Sequence, residues 1–316
     1  MRTAIVILTS IFLLTACGPE ASWTTLAGPP GAETLETIRG RSAQELWAAD
    51  AMGGVFKFNG TSWSKLDSPL RAPTQPDLAL VGEQDAIFMT TDEVFRVRSG
   101  TFTSLFKLQE PRSWLSAVFG TNENDLWFKV AHLEGRATVL RWDGLRAVPA
   151  AGSVIPSWAS APDDAWGIDE GTLFHWNGVE WRAQELTGVH GVWGLSKDLV
   201  WAVAEQESLL QWNGSEWKVL ARKEGCTNYH DCATLDSVWA SGPDDVWVVG
   251  ASGPGFGGSA YAAVSHWDGQ RLSVVLQYGE GRLKTQSTEI GPLQHVFGFG
   301  QVAYAHDGEQ LLKLEW

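Results

Sequence analysis

The chain has 316 residues, of which 37 are acidic and 23 are basic, giving a formal net charge of −14 at pH 7. A surface with this excess of negative charge repels phosphate backbones, so the composition argues against nucleic-acid binding. A chain of this length can bury a large core, and it would often form two domains unless the fold is a closed β architecture.

The chain opens with the features of an export signal. Arg2 precedes an apolar run from Ala4 to Leu14, which is too short to span a bilayer as a mature helix and is followed by small residues. Residues 1–16 are therefore predicted to be a signal peptide. No other apolar run in the sequence is long enough to cross a membrane.

The last four residues of this region, Leu14-Thr15-Ala16-Cys17, resemble the lipobox of bacterial lipoproteins. The resemblance implies cleavage before Cys17 and attachment of lipids, palmitate among them, to that cysteine, with residues 17–21 as a tether. Gly18 follows the cysteine, which by resemblance to common sorting rules implies the outer membrane. The alternative is an ordinary secreted protein in which Cys17 is incidental.

A short β-type phrase recurs along the chain at a spacing of about 40 residues, which is typical of propeller blades. Its anchoring aromatic residues are Trp47, Phe88, Trp127, Trp166, Trp201, Trp247 and Tyr304. Each copy combines strand-like runs with a turn such as "GPDD" (242–245) and a hairpin such as "WNGSEW" (212–217). Asn-Gly supplies the positive φ that a two-residue hairpin needs. The pattern predicts four strands in each copy.

The two ends of the chain predict how the ring closes. The last copy stops at "LLKLEW" (311–316), which corresponds to a third strand, and "SWTTLAG" (22–28) matches the fourth-strand form. We therefore predict that residues 22–316 form one all-β domain, a seven-bladed β-propeller whose last blade is closed by the N-terminal strand. Such closure leaves no open sheet edge. The recurrent aromatic residues are predicted to fill the wedges between blades, with ligand stacking as the alternative.

The combination of "DDVW" and "WNGxxW" resembles tryptophan-rich propeller repeats of exported proteins in Gram-negative bacteria. This resemblance covers nearly the whole chain after the signal peptide, and it implies a fold and an extracytoplasmic setting but no single activity. The hairpin also resembles that of fucose-binding propeller lectins, in which a recurring Arg and Glu hold the sugar. The corresponding position before the aromatic residue is occupied here by Arg141, His175, Gln211 and His266, so we predict no such pair.

Two cysteines remain after Cys17, and they flank the short stretch "TNYHD" (227–231). In an oxidising compartment, Cys226 and Cys232 are predicted to form a local disulfide. A metal site that uses these cysteines with His230 and Asp231 is the alternative, but its spacing fits no strong zinc signature. We therefore predict neither a metal nor a cofactor.

The loops predict two different faces of the disc. The short turns that join first to second and third to fourth strands share one face, here called the plain face. The other face, called the insertion face, carries the insertions at 223–234, 251–263 and 278–291 around the sixth blade, and a shorter one at 131–136. Variable loops on a rigid scaffold are where binding usually resides.

These features predict a non-enzymatic, lipid-anchored scaffold that binds an envelope or extracellular protein through its sixth-blade loops. The candidate contacts are loop side chains of the types that form interface hot spots: Tyr229, His230, Phe256, Tyr261, Tyr278, Arg282 and Lys284. One alternative is a carbohydrate binder that uses exposed tryptophans. Another is an enzyme at the central channel, against which the first strands "SVWAS", "GVWGL" and "AVFGT" present no carboxylate. No catalytic residue is predicted.

Overall fold

The structure is a computed structural model that describes residues 22–70, 75–225, 232–253, 260–277, 280–281 and 290–316. These residues form 29 β-strands arranged in seven antiparallel sheets. The sheets are the blades of a seven-bladed β-propeller, as predicted. Within the described part of the chain, no helix is long and apolar enough to cross a membrane.

After the first strand, β1 (Ser22–Leu26), six blades follow in chain order. Within each of these blades the first strand lies at the central channel and the later strands follow in sequence order toward the rim. Blades 1 to 3 consist of β2 (Leu35–Ser42), β3 (Glu45–Asp50), β4 (Val55–Phe58), β5 (Trp63–Lys65); β6 (Asp77–Val81), β7 (Asp85–Met89), β8 (Glu93–Arg98), β9 (Thr101–Lys107); and β10 (Ser113–Asn122), β11 (Asp125–His132), β12 (Ala137–Trp142), β13 (Ala147–Ala150).

Blades 4 and 5 have the same four-stranded form, whereas blade 6 gains a short fifth strand inside the predicted insertion at 278–291. Their strands are β14 (Trp158–Ala161), β15 (Asp164–Asp169), β16 (Thr172–Trp176), β17 (Trp181–Ala183); β18 (Val189–Ser196), β19 (Leu199–Ala204), β20 (Ser208–Trp212), β21 (Trp217–Ala221); and β22 (Thr234–Gly242), β23 (Asp245–Ser252), β24 (Tyr261–Trp267), β25 (Leu272–Gln277), β26 (Glu280–Gly281).

Blade 7 joins the two ends of the described chain. It consists of β27 (His295–Phe299), β28 (Val302–His306), β29 (Leu311–Glu315) and, as its outermost strand, β1. Strand β1 pairs antiparallel with β29 over its whole length, from Ser22 opposite Glu315 to Leu26 opposite Leu311. The predicted closure by the N-terminal strand is therefore confirmed, and it covers the edge that β29 would otherwise expose.

Adjacent blades pack through the aromatic residues that recur along the sequence. Trp47, Trp127, Trp166, Trp201, Trp247 and Tyr304 are each at most 2% exposed. The ring centroid of Trp166 in blade 4 lies 5.4 Å from that of Trp212 and 5.2 Å from that of Trp217, both in the hairpin of blade 5. Wide, rigid rings fill the gap between two twisted sheets, so the predicted wedge-filling role is confirmed.

The hairpins on the plain face have the predicted geometry. Gly178 adopts a φ of 88°, and the Asn177 carboxamide oxygen accepts backbone N–H bonds from Val179 and Glu180 at 3.0 and 2.9 Å. Because glycine has no Cβ, it enters this left-handed region without steric cost. The fourth strand of a blade starts at this hairpin on the plain face and ends at the insertion face. The inner strand of the next blade therefore starts at the insertion face and runs toward the plain face.

Candidate functional site at the channel mouth

A central cavity of about 540 Å³ runs between the blades. The innermost strands β2, β6, β10, β18, β22 and β27 line it, and blade 4 contributes residues 155–157 just before β14. Neighbouring inner strands contact one another around the ring, including β27 with β2. A cavity of this size admits a side chain or a peptide end but not a folded domain.

The polar residues of this cavity gather toward the insertion face. Asp77 and His295 are the first residues of β6 and β27, while His190 and Asp236 lie one and two residues into β18 and β22. Each of these strands begins on the insertion face, so their first residues surround one end of the channel. This end, with Arg39 in the middle of β2, is called the channel mouth.

The expectation that the channel-lining strands lack carboxylates is wrong, because Asp77 and Asp236 both line the cavity. The phrase "SVWAS" begins at Ser237, one residue after Asp236. The apolar phrases that recur in the sequence are the downstream halves of the inner strands, which pack between blades. The polar residues lie upstream, where the ring opens.

A recurring irregularity turns some of these side chains toward the channel. The register between first and second strands shifts at His190, between Val189 and Gly191, and at Asp236, between Leu235 and Ser237. Corresponding shifts occur at Glu36 in β2 and Ser116 in β10. Because a β-bulge adds one unpaired residue and redirects its side chain, four of the seven inner strands can present a polar group outside the blade packing.

Most charges near the mouth have partners. The Asp77 carboxylate accepts backbone N–H bonds from Val118 of the next blade at 2.9 Å and from Leu78 at 2.8 Å. The Lys129 ammonium lies 2.8 Å from an Asp169 carboxylate oxygen, which joins blade 3 to blade 4. These two acids therefore act as links between blades.

Asp236 differs from them, since its only hydrogen-bond donor among the described residues is the Thr234 hydroxyl, at 3.5 Å. Burial raises the pKa of Asp236 above the ordinary value, and the neighbouring His190 and Thr234 only partly oppose this. Arg39 is its opposite: its Nη1 donates to the Ile38 carbonyl at 2.9 Å, and no described carboxylate lies within ion-pair distance. The mouth thus holds one poorly compensated acid and one uncompensated cation.

The plain face shows the contrasting arrangement, in which every charge of a recurring network is used. In four blades a cationic or imidazole side chain on the third strand lies over the second-strand tryptophan and bonds the carboxylate two residues before that tryptophan. The sets are Lys57, Trp47 and Glu45; Arg141, Trp127 and Asp125; His175, Trp166 and Asp164; and His266, Trp247 and Asp245.

In these networks the residue before the third-strand aromatic is bonded to an acid on the adjacent strand of the same blade. In blade 6, His266 Nε2 lies 2.7 Å from Asp245 Oδ1, and its ring is stacked 4.3 Å from Trp247. His266 is 8% exposed, so it does not face solvent. Blade 5 breaks the pattern, since Gln211 opposes Trp201 and Leu199 replaces the acid.

Most of the predicted lipidation, disulfide and contact residues lie outside the described residues: Cys17, Cys226, Tyr229, His230, Phe256, Tyr278, Arg282 and Lys284. Of the remaining two, Tyr261 is half-buried as the first residue of β24, opposite Ser252, and Cys232 is buried just before β22. The pairing of Cys226 with Cys232 and the contact role of the loops stay predictions.

Glu207, which no sequence pattern singled out, is a buried residue at the base of the predicted disulfide loop. Glu207 is 8% exposed, and its Oε1 accepts from the Ala233 backbone N–H at 2.6 Å and lies 3.1 Å from the Lys223 ammonium. Gln206 and Glu207 both adopt positive φ, at 62° and 47°, which non-glycine residues avoid. An Asn or Gly in this turn would have signalled that geometry.

The described residues bear only in part on the predicted alternatives, since the candidate metal ligands Cys226, His230 and Asp231 lie outside them. The large apolar side chains that are exposed in the described part are Met52, Leu133, Leu145, Val179, Leu195 and Val219. Described tryptophans such as Trp212 and Trp217 are half-buried. Within the described residues, no group of three or more His, Cys, Asp or Glu side chains is placed to hold a metal.

Comparison with known proteins shows the fold alone. No protein-family model matches the chain, and no curated protein sequence matches it. Among solved structures, YCF48 bound to D1 peptide is similar with a TM-score of 0.64 and 10% identity, covering 94% of this chain and 95% of that one. The WD40 β-propeller domain of Doa1 is similar with a TM-score of 0.58 and 11% identity, covering 92% and 95%.

A bacterial extracellular domain is similar as well. The extracellular domain of the putative one component system BT4673 from B. thetaiotaomicron matches with a TM-score of 0.60 and 11% identity, covering 93% of this chain and 39% of that one. The chain is therefore a seven-bladed β-propeller by fold. These identities are too low to transfer an activity.

Proposed function

We propose that this chain is a lipid-anchored, non-enzymatic scaffold that binds a protein partner through the insertion face of its propeller. The observation that carries the proposal is the contrast between the two faces: charges in the plain-face networks are paired, whereas among the described residues Arg39 has no ion-pair partner and Asp236 has only a weak hydrogen bond from Thr234. Unpaired charges at a cavity cost stability, and binding sites are where proteins retain such costs. YCF48, which is similar in fold, has been solved bound to D1 peptide.

The sixth-blade loops extend the proposed surface. The two links on either side of blade 6 and the connection from β23 to β24 belong to the insertion face, and the links precede β22 and β27, the strands that carry Asp236 and His295. Glu207 anchors the base of the first of these links. In the proposal, a Cys226–Cys232 disulfide would fix Tyr229 and His230 beside the channel mouth.

The anchor belongs to the same proposal. Strand β1 is an outermost strand that starts on the plain face, and residues 17–21 would join it to a lipidated Cys17 with a reach of about 14–18 Å when extended. The plain face would then lie toward the membrane, proposed to be the outer membrane, and the channel mouth would point away. Metabolic labelling with palmitate should mark the wild-type chain and leave Cys17→Ser unlabelled; equal labelling would contradict the anchor.

Cross-linking capture from native envelope tests the partner. The bait is residues 22–316, which contain every strand of the ring, and the matched bait has residues 225–233 replaced by a short Gly-Ser link. A protein retained by the first bait and lost from the second supports the proposal. Retention by both equally would move the contact away from these loops. Empty captures with both baits would favour a glycan or small-molecule ligand instead.

A further inference from the structure

The junction of blades 7 and 1 holds hydrogen-bond donors without acceptors. Arg39 uses one N–H group on the Ile38 carbonyl and has no carboxylate partner among the described residues. By contrast, Arg41, two residues further along β2, binds Glu45 and the carbonyls of Val81, Gly82 and Asp85. A guanidinium carries five N–H groups in a planar fork, so Arg39 retains most of its donor capacity.

Two imidazoles lie beside this guanidinium. His295 and His306 are direct cross-strand partners, and their ring centroids are 6.0 Å apart. His295 keeps an exposed face toward the channel, whereas His306 is 0% exposed. Within the described chain, neither ring nitrogen of His306 has a hydrogen-bond partner. A fully buried imidazole without partners is costly to the fold, so it calls for an explanation.

The charges around these rings disfavour a second cation. Desolvation inside the ring of blades and then the positive charge of Arg39 lower the pKa of both His295 and His306. The Asp307 carboxylate opposes this at His306, but it is already bonded to the backbone N–H groups of Gly291, Glu309 and Gln310. An anion placed beside Arg39 would reverse the unfavourable field at both imidazoles.

We propose that Arg39 and His295, backed by His306, form a carboxylate-binding site at the channel mouth, which takes the C-terminus or an acidic side chain of the protein partner. The inference rests on the proposed function of the insertion face and names the chemistry it would recognise. The guanidinium of an arginine and the N–H of an imidazole are strong hydrogen-bond donors to a carboxylate. A C-terminal or side-chain carboxylate is small enough to fit a cavity of about 540 Å³. Asp236, on the blade next to blade 7, would disfavour polyanions.

Three short peptides test the site on residues 22–316. They are N-acetyl-trialanine with a free C-terminus, its C-terminal amide, and N-acetyl-Ala-Glu-Ala amide. Proton NMR at neutral pH follows the His295 ring signal, which a His295→Gln variant assigns. The carboxylate peptides should shift this signal and the trialanine amide should not. Stronger binding of the free C-terminus identifies terminal recognition, stronger binding of the Glu peptide identifies a side-chain ligand, and equal binding shows that the site accepts either carboxylate.

Variants localise the effect. Arg39→Gln should weaken carboxylate binding about tenfold, the loss expected for a charge-assisted bond of about 1.4 kcal/mol. Arg39→Lys keeps the positive charge without the planar fork, so its affinity for the carboxylate peptides should lie between those of wild type and Arg39→Gln. It also tests the site if the Gln variant fails to fold. Arg182→Gln removes an exposed arginine from the outer strand of blade 4 and should leave binding unchanged. Asp236→Asn should strengthen it.

Equal shifts by the acid and the amide, or no shift of His295 by either carboxylate peptide, would overturn the carboxylate site. The partner capture separates this from the wider proposal. If the captured protein is retained equally by wild type and Arg39→Gln, the insertion face binds without this site. If the acid peptide binds but no protein is captured, the carboxylate site stands and the protein scaffold does not.

Discussion

The blade 6 network gives the sharpest test of how plain-face charges stabilise the propeller. The Asp245 carboxylate accepts from Ser241, from Trp247 Nε1 at 3.1 Å, from His266 Nε2 at 2.7 Å and from Trp316 Nε1 at 3.2 Å. Breaking a buried pair by removing one partner costs about 3–5 kcal/mol. Since 24% of the Asp245 side chain is exposed, water replaces part of the loss, and we expect Asp245→Ala to cost about 3 kcal/mol.

The adjacent Asp244 supplies the matched control. It belongs to the same turn and is exposed, and it makes no side-chain hydrogen bond among the described residues. Urea unfolding followed by tryptophan fluorescence should show a lower free energy of unfolding for Asp245→Ala and almost no change for Asp244→Ala. Asp164→Ala in blade 4, whose carboxylate bonds only Ser160 and His175, should fall between the two. Equal losses for Asp244→Ala and Asp245→Ala would refute the network argument.

The pH dependence of the same comparison follows from the lowered pKa of Asp245. Burial alone would raise this pKa, but the bonds from His266 and Ser241 outweigh burial and lower it below the ordinary value of 3.8. A carboxyl whose folded pKa is depressed stabilises the fold above the unfolded pKa, and that stability is lost as pH falls through the folded pKa. The difference in free energy of unfolding between wild type and Asp245→Ala should therefore be largest near neutral pH and should shrink below about pH 4.

Three further perturbations have expected outcomes. Asp236→Asn should raise the free energy of unfolding at pH 7 by about 1 kcal/mol, because it removes a poorly paired, half-buried charge; since its folded pKa is raised, the gain should disappear in acid, where the wild-type carboxyl is neutral. Glu207→Gln should speed hydrogen exchange at the Ala233 amide with little change in global unfolding, and unchanged exchange would contradict the anchoring role. Deleting residues 22–26 exposes the edge of β29, so the truncated chain should aggregate on a sizing column where the intact ring elutes as one species.

The sequence predicted the blades because their signals are local. Alternation along the strands, the Asn-Gly pair at Gly178 and the recurrence of tryptophan each depend on residues close together in the chain. The closing strand could be predicted as well, because 22–28 resembles a fourth strand. The fold and its closure are therefore predictable from the sequence pattern alone.

The channel mouth could not be predicted in the same way. Arg39, Asp236 and His295 are far apart in sequence, and they line one cavity only because the blades close into a ring. The side chain of Asp236 is also redirected by a bulge, which carries no composition signal. Asp245 and His266 are 21 residues apart, and their pairing depends on the register between two strands. In the sequence they are therefore two polar positions with no visible relation.

The distribution of partners separates supporting charges from binding charges. Asp77, Asp169 and Asp245 are as polar as Asp236, but each has donors that hold one strand or blade to another. Removing them should therefore lower stability. Within the part of the chain that the structure describes, Asp236 and Arg39 have no such partners, so removing them should leave the fold intact or more stable while changing what the channel mouth binds. A gain in stability together with altered binding for Asp236→Asn, beside a loss in stability with unchanged binding for Asp245→Ala, would distinguish the two roles within a single blade.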